Sequence, residues 1–295
     1  MPRVLLATWN VNSLRARLPR VLDWLETRAP DVVALQETKC TADNLPRAEL
    51  EAAGYEVAHE GFSQWNGVAL LSRVGLDDVR VGFDAMPEHE GVSEARALGA
   101  TCGGVRVWSL YVPNGREPDS PHYVYKLAWL AALRAAGESW LASDPAAAVA
   151  LCGDFNIAPT DEDVWDPAFF VGATHVTPPE RAAFAALGDA GFTDVAREFT
   201  PGPGSYTYWD YQQLRFPHRE GMRIDFVLGS PALAATVTGA RVDREARKGK
   251  GPSDHAPVLV TLGDSAPPTV PAATATATAP APPTARAATE PASTP

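Results

Sequence analysis

The sequence has little cysteine, no long apolar run and no surplus of positive charge, and each shortage excludes something. Cys40, Cys102 and Cys152 are odd in number and contain no C-x-x-C pair, which excludes a disulfide framework. Cys102 and Cys152 lie in or beside apolar runs, so the expectation is buried free thiols in a reducing compartment. The amino-terminal MPRVLLATWN has three consecutive large apolar residues before it turns polar, too few for a secretory leader or a membrane span. A soluble, cytoplasmic protein is expected. His59, His89, His122, His175 and His218 have no ligand-like spacing and read as surface or loop histidines.

The net charge is −11, of which residues 264–295 carry −1 (Asp264 and Glu290 against Arg286), leaving −10 on residues 1–263. That argues against a broad cationic surface for nucleic acid. It leaves room for a phosphate-processing site, because carboxylates gathered around a divalent cation stop repelling phosphate once the cation binds, and a local basic rim can steer. The run Arg241–Lys250 holds five cations and reads either as such a rim or as a solvated loop.

What is there divides unevenly. After Gly263 the chain is Pro, Ala and Thr with almost no large apolar side chains, a composition that cannot build a core, so 264–295 is expected to be a disordered tail. Residues 1–263 suffice for one α/β domain. Apolar runs at Val4–Trp9, Val32–Gln36, Val68–Ser72, Val105–Val112, Val149–Cys152, Ile224–Leu228 and Val258–Leu262 predict strands. Stripes at Leu18, Val21, Leu22 and Leu25, at Leu127, Leu130, Leu133 and Leu141, and at Phe184 and Leu187 before Gly191 predict helices. The mixture points to mixed sheets and not to a pure βαβ series.

Polar residues of catalytic type follow these strands: Asn10 after VLLATW, Glu37 after DVVALQ, Asn114 after SLYVP, and Asp154 with Asn156 after AVALCG. Ligands of α/β sheets gather at strand carboxyl ends, so these placements converge on one rim. Asp154 and Asn156, at i and i+2, share a side while the backbone stays extended. Asp225, inside the apolar RIDF, is costly unless paired. Its natural use is as a partner of His255 in SDHAP, fixing the imidazole tautomer and favouring its protonated form.

The ordered blocks TWNVNSLR (8–15), LQETK (35–39), YVPNG (111–115), GDFNIAP (153–159), RIDFVL (223–228) and SDHAPV (253–258) resemble the exonuclease III family of apurinic/apyrimidinic endonucleases, within the wider endonuclease/exonuclease/phosphatase superfamily, over residues 3–262. The resemblance implies a DNase I-like four-layer α/β sandwich, two packed mixed β-sheets flanked by helices, with the active site at one end. It implies a monomeric DNA-repair phosphodiesterase with abasic-site incision, 3′-phosphodiesterase and 3′→5′ exonuclease activities on double-stranded DNA carrying abasic sites or 3′ blocks. Glu37 would be the principal Mg²⁺ ligand, with Asn10, Asn12 and Asp254 completing or supporting the centre and Asp154, Asn156 and His255 also counted there. Hard oxygen ligands suit Mg²⁺ or Mn²⁺ and not zinc.

By the same resemblance Asp154 would orient or deprotonate the attacking water, Asn156 and Asn114 would hold the scissile phosphate, and Tyr111 would hydrogen-bond the developing charge. His255, paired with Asp225, would contact phosphate as imidazolium or act as the base; the sequence leaves open whether it or Asp154 takes the proton. Arg96, in Glu94-Ala95-Arg96, either adds positive charge near the site or makes a structural ion pair. Trp209, Met222 and Ile224 match positions that line a slot for a flipped-out sugar lacking its base, against the competing reading of ordinary core. A phosphomonoesterase or a lipid or inositol phosphodiesterase on the same scaffold is the alternative, and a catalytically dead DNA-binding module a third.

Overall fold

The computed structural model describes residues 3–62 and 64–263; the expected tail, 264–295, lies outside the described residues. The strands are β1 (Val4–Asn10), β2 (Val32–Gln36), β3 (Glu56–Glu60), β4 (Val68–Ser72), β5 (Asp77–Val81), β6 (Ala97–Cys102), β7 (Val105–Tyr111), β8 (Val149–Asp154), β9 (Thr193–Asp194), β10 (Asp225–Gly229), β11 (Val237–Val242) and β12 (Val258–Leu262). They form two six-stranded sheets, ordered β11-β12-β1-β2-β4-β3 and β5-β6-β7-β8-β10-β9. The pairs β1–β2 and β7–β8 are parallel and the others antiparallel, so both sheets are mixed, as expected.

Every expected apolar run forms a strand. The strands without such a run include all four sheet edges, β3, β5, β9 and β11, where less of the strand is covered and polar residues are tolerated; β5 (DDVRV) is exposed throughout. The helices used below are α1 (Leu14–Arg28), α2 (Arg47–Ala52), α3 (Pro121–Ser143) and α4 (Pro178–Asp189). Ser120 caps α3 ahead of Pro121, and Thr177 with Glu180 forms a capping box on α4.

Strand alternation sorts the apolar residues into three layers. Leu6, Val32, Ala34 and Leu70 meet Val107, Ala150, Cys152 and Val227 between the sheets. Ala7, Trp9, Val33 and Leu35 meet Leu14, Val21 and Leu25 of α1 outside the first sheet, and Trp108, Leu110 and Leu151 meet Trp129, Leu130, Leu133 and Leu187 of α3 and α4 outside the second. Each fully buried Leu, Val or Ile contributes roughly 1.5–3 kcal/mol. Gly153 is required by β7, since a Cβ there would lie 1.9 Å from the Leu110 carbonyl oxygen. The cysteines are buried and free, and among the described residues no helix is long and apolar enough to cross a membrane.

The face between the sheets turns polar at one end. Along β1 it carries Leu6, Thr8 and Asn10, along β7 Val107, Ser109 and Tyr111, along β8 Ala150, Cys152 and Asp154, and along β10 Val227 and Asp225. The β1, β2, β7 and β8 strands finish at this end while antiparallel β10 and β12 begin there. Register places Asp154 opposite Tyr111 on one side and Asp225 on the other.

Candidate active site

At that end the buried Asn10 amide donates to Glu37 Oε1 at 2.8 Å and to Asp154 Oδ2 at 3.0 Å, joining the two sheets. Its Oδ1 accepts from the Asn12 backbone N–H at 3.0 Å, so the amide expected as a metal ligand is arranged here as a bridge between carboxylates. Glu37 sits at φ 53 and Asn156 at φ 52, a left-handed conformation that costs a non-glycine residue about 1 kcal/mol or more and persists where surroundings over-determine it. Asp154 Oδ1 accepts from the Asn156 N–H at 2.9 Å. His255 Nδ1 donates to Asp225 Oδ2 at 2.8 Å, and its Nε2 lies 3.8 Å from Asp154 Oδ2. Thr207 Oγ1 accepts from the N–H groups of Ile224 and Asp225, both at 3.1 Å, fixing the start of β10.

The electrostatics follow from burial among like and unlike charges. Burial alone would lower the His255 pKa, but the Asp225 and Asp154 carboxylates outweigh it and push it up to about 10. Burial raises Asp154, with the charges of Asp225 and Glu37 adding to it and His255 opposing. Burial also acts to raise Glu37, but Lys39, Asn10 and His255 together hold it below the usual carboxylate value. Tyr111 is pushed well above its ordinary value by burial and by the charge of Glu37, so it keeps its proton. Arg96 resolves both ways: its Nε donates to Glu94 Oε2 at 2.6 Å, and its guanidinium lies 4.8 Å from the Tyr111 ring centre.

Glu37, Asp154 and His255 offer ligand atoms within 4.8 Å of one another, an acidic site of the kind that holds a cation. Asp254 is not in that group; its Oδ1 accepts from Asn12 Nδ2 at 3.0 Å, and Asn12 Oδ1 accepts from Lys39 Nζ at 2.7 Å. The ammonium in turn lies 2.6 Å from Glu37 Oε2, closing a ring through the expected supporting residues. Asn114 Nδ2 donates to Asn156 Oδ1 at 3.1 Å and Asn156 Nδ2 to the Val112 carbonyl at 3.0 Å.

Residues 7–255 match the sequence model of the Endonuclease/Exonuclease/phosphatase family. The chain belongs to that family. It is 31% identical over 264 residues to the DNA repair nuclease APEX1 of Danio rerio (87% of this chain, 81% of the relative). It is 30% identical to exodeoxyribonuclease III of Haemophilus influenzae (85% and 97% covered). Among solved structures, a 3′ phosphatase from Neisseria bound to a product DNA hairpin superposes with TM-score 0.83 at 40% identity, covering 88% of this chain and 99% of that one. An AP endonuclease from Archaeoglobus fulgidus superposes with TM-score 0.83 at 34% identity over 88% and 99%. The resemblance read from the six sequence blocks, and the sandwich it implied, are thus supported independently.

Beside this polar end lies a cavity of about 290 Å³ walled by Trp165, Phe169, Phe170, Tyr208 and Met222, with His175 and Arg215 on it. Met222 lines this cavity and Trp209 does not. Tyr208 bridges to Met222 and His255, its ring 4.9 Å from the imidazole; the next residue in an extended chain points the opposite way. Trp209 is accordingly 1% exposed, edge-on to Phe216 at 5.2 Å in a cluster with Tyr206 and Ala256. Ile224 packs behind Met222 with Ala158 and Val164 and is absent from the wall. SYTYWDY sets the Tyr208 and Trp209 rings side by side, and nothing local to it says which of the two faces the site.

Two histidines are not where they were expected: His122, on α3, is buried and its Nδ1 accepts from the Gly115 N–H at 3.1 Å, and His59, on β3, bonds Thr38 Oγ1 at 3.0 Å. His175 is in a loop, as expected, where its Nδ1 donates to the Asn156 carbonyl at 2.5 Å from the cavity rim. Within Arg241–Lys250, Arg247 is buried and donates to the Trp209 carbonyl at 2.8 Å, and Arg244 donates to that of Phe216 at 3.0 Å, so part of that run is structural. Lys126 is fully buried; its place one turn ahead of Leu130 on the apolar stripe of α3 was the signal available in the sequence.

Proposed function

We propose that this protein is a DNA-repair phosphoesterase that hydrolyses phosphoesters at abasic sites and 3′ ends with a divalent metal, Mg²⁺ or Mn²⁺. The observation that carries the reading is the His255 imidazole locked between Asp225 and Asp154 beside Glu37. With Nδ1 donating to Asp225, His255 as imidazolium serves as a donor to phosphate oxygen, and Asp154 takes or orients the water's proton. The raised pKa of Asp154 suits it to that task near neutral pH. Tyr111, protonated, donates to the developing charge, and Asn114 and Asn156 each keep an amide N–H beyond the bonds described above for the phosphate. The Glu37 and Asp154 carboxylate oxygens fit a hard cation, which would supply Lewis-acid neutralisation of the phosphoryl group when bound.

The relatives named above include a DNA repair nuclease, an AP endonuclease, exodeoxyribonuclease III and a 3′ phosphatase, which favours DNA over lipid or inositol phosphates. The test is parallel incubation with an abasic duplex, a recessed 3′ end and a 3′-phosphate duplex, in Mg²⁺ and in EDTA. Turnover of at least one DNA substrate in Mg²⁺ and none in EDTA is expected. Undiminished turnover in EDTA removes the metal-assisted reading, and turnover of inositol or lipid phosphoesters alone removes the DNA reading.

A further inference from the structure

Lys126 and Glu180 form an ion pair with both side chains at 0% exposure, 2.5 Å apart, and no step proposed above uses it. The ammonium's hydrogens are all engaged: besides Glu180 Oε1 they reach the Asn156 carbonyl at 2.7 Å and the Asn114 carbonyl at 3.1 Å. Glu180 Oε1 also accepts from Thr174 Oγ1 at 2.8 Å and the His175 N–H at 2.9 Å, and Oε2 from the Thr177 N–H at 3.1 Å and Oγ1 at 2.6 Å. One buried pair thus ties α3 and α4 to the backbones of both amides assigned to the phosphate and to the segment beside them. The loops it holds are left-handed at Gly115 (φ 94), Arg116 (φ 59), Asn156 (φ 52) and His175 (φ 78), conformations that need external fixing. A buried ion pair is weak evidence for net stability, since a well-packed apolar pair of similar volume often does as well. What an apolar pair cannot do is hydrogen-bond two carbonyls at once.

We infer that Lys126 and Glu180 are positioning residues that set the spacing of the Asn114 and Asn156 amides around the scissile phosphate. This rests on the role given to those amides under the proposed function. Lys126 acts on the phosphate only through the backbones of Asn114 and Asn156.

The experiment uses the full chain with Lys126→Met, Glu180→Gln and the double variant Lys126→Met/Glu180→Gln. The first alone strands a buried carboxylate and risks unfolding; the double variant removes both charges, and Glu180→Gln keeps the shape and one acceptor oxygen for the Thr174 and His175 donors. Melting temperature, Mg²⁺ half-saturation, kcat and KM are measured on a 3′-recessed duplex, together with the rate ratio between oxygen and each phosphorothioate diastereomer at the cleaved position. A misplacement of about 1 Å can cost about 10²-fold, so kcat of the double variant should fall roughly 10- to 100-fold. KM and Mg²⁺ half-saturation should stay within about threefold, because Glu37 lies outside the network, and the thio effect of one diastereomer should shrink as its oxygen loses the amides. A folded double variant with kcat within about threefold of the parent overturns the inference. So does a loss of kcat with both thio effects unchanged, which is what general loosening would produce. If the double variant does not fold, Glu180→Gln carries the same readouts with a smaller expected loss, and an unchanged kcat and thio effect there overturns it equally. Asn156→Ala run alongside separates the two levels: full activity in that variant defeats the amide assignment itself, whereas its inactivation with an unimpaired double variant defeats only the positioning role.

Discussion

The placement of Trp209 and Tyr208 on opposite sides of one extended segment makes a sharp prediction. Trp209 is 1% exposed; an indole buries about 150–250 Å², worth roughly 4–6 kcal/mol at about 25 cal/mol per Å², and truncating a core tryptophan typically costs about 3–5 kcal/mol. At about 2–4 °C per kcal/mol for a domain of this size, Trp209→Ala should lower the melting temperature by about 10 °C and depress abasic incision and exonuclease rates together. Tyr208 is half-buried on the cavity wall, so Tyr208→Ala should cost no more than about 1–2 kcal/mol while changing the ratio between abasic and 3′-terminal substrates. Thermal unfolding measured beside both rates decides it. Should Trp209→Ala lose incision selectively with a melting temperature within about 2 °C of the parent, the argument from strand alternation is wrong.

Three further outcomes are expected. Asp154→Asn should reduce turnover by about 10²-fold or more with DNA binding largely retained, measured by kcat beside a binding isotherm; near-parental turnover would exclude Asp154 as base. Asp225→Asn removes the hydrogen-bonded carboxylate that, with Asp154, holds the His255 pKa up at about 10, so the alkaline limb of the pH–rate profile should move to lower pH by more than about one unit, and an unmoved limb would separate the pair from catalysis. His122 is held down to about 4, from an ordinary 6.5, by burial and then by the charges of Arg96 and Arg116. Its unfolded form therefore binds more protons between those values, so its contribution to stability is intact above 6.5 and is lost as pH falls toward 4. The slope is at most about 1.4 kcal/mol per pH unit, and denaturant unfolding of His122→Asn should be less acid-sensitive than the parent across that window.

By itself the sequence determined the strands that have apolar cores, the helices with an apolar stripe, and the identity of the polar residues where those strands end. Asn10, Glu37, Tyr111, Asp154, Asp225 and His255 were all legible there because they sit in short ordered blocks that resemble the family's, and because a carboxylate or amide capping a buried strand departs from local pattern. The edge strands β3, β5, β9 and β11 were not, since an edge strand need bury little and carries little periodic signal. Only the tertiary structure decided contacts between segments far apart in the chain: Asn10 donating to Asp154 across 144 residues, or Lys126 on α3 meeting Glu180 on α4 across 54. It also decided which of two adjacent rings, Tyr208 or Trp209, faces the cavity. Local pattern shows that successive residues of an extended strand face opposite ways, but not which face meets a cavity; that depends on the strand's partners, Met222 and His255, which a folded chain alone brings beside it.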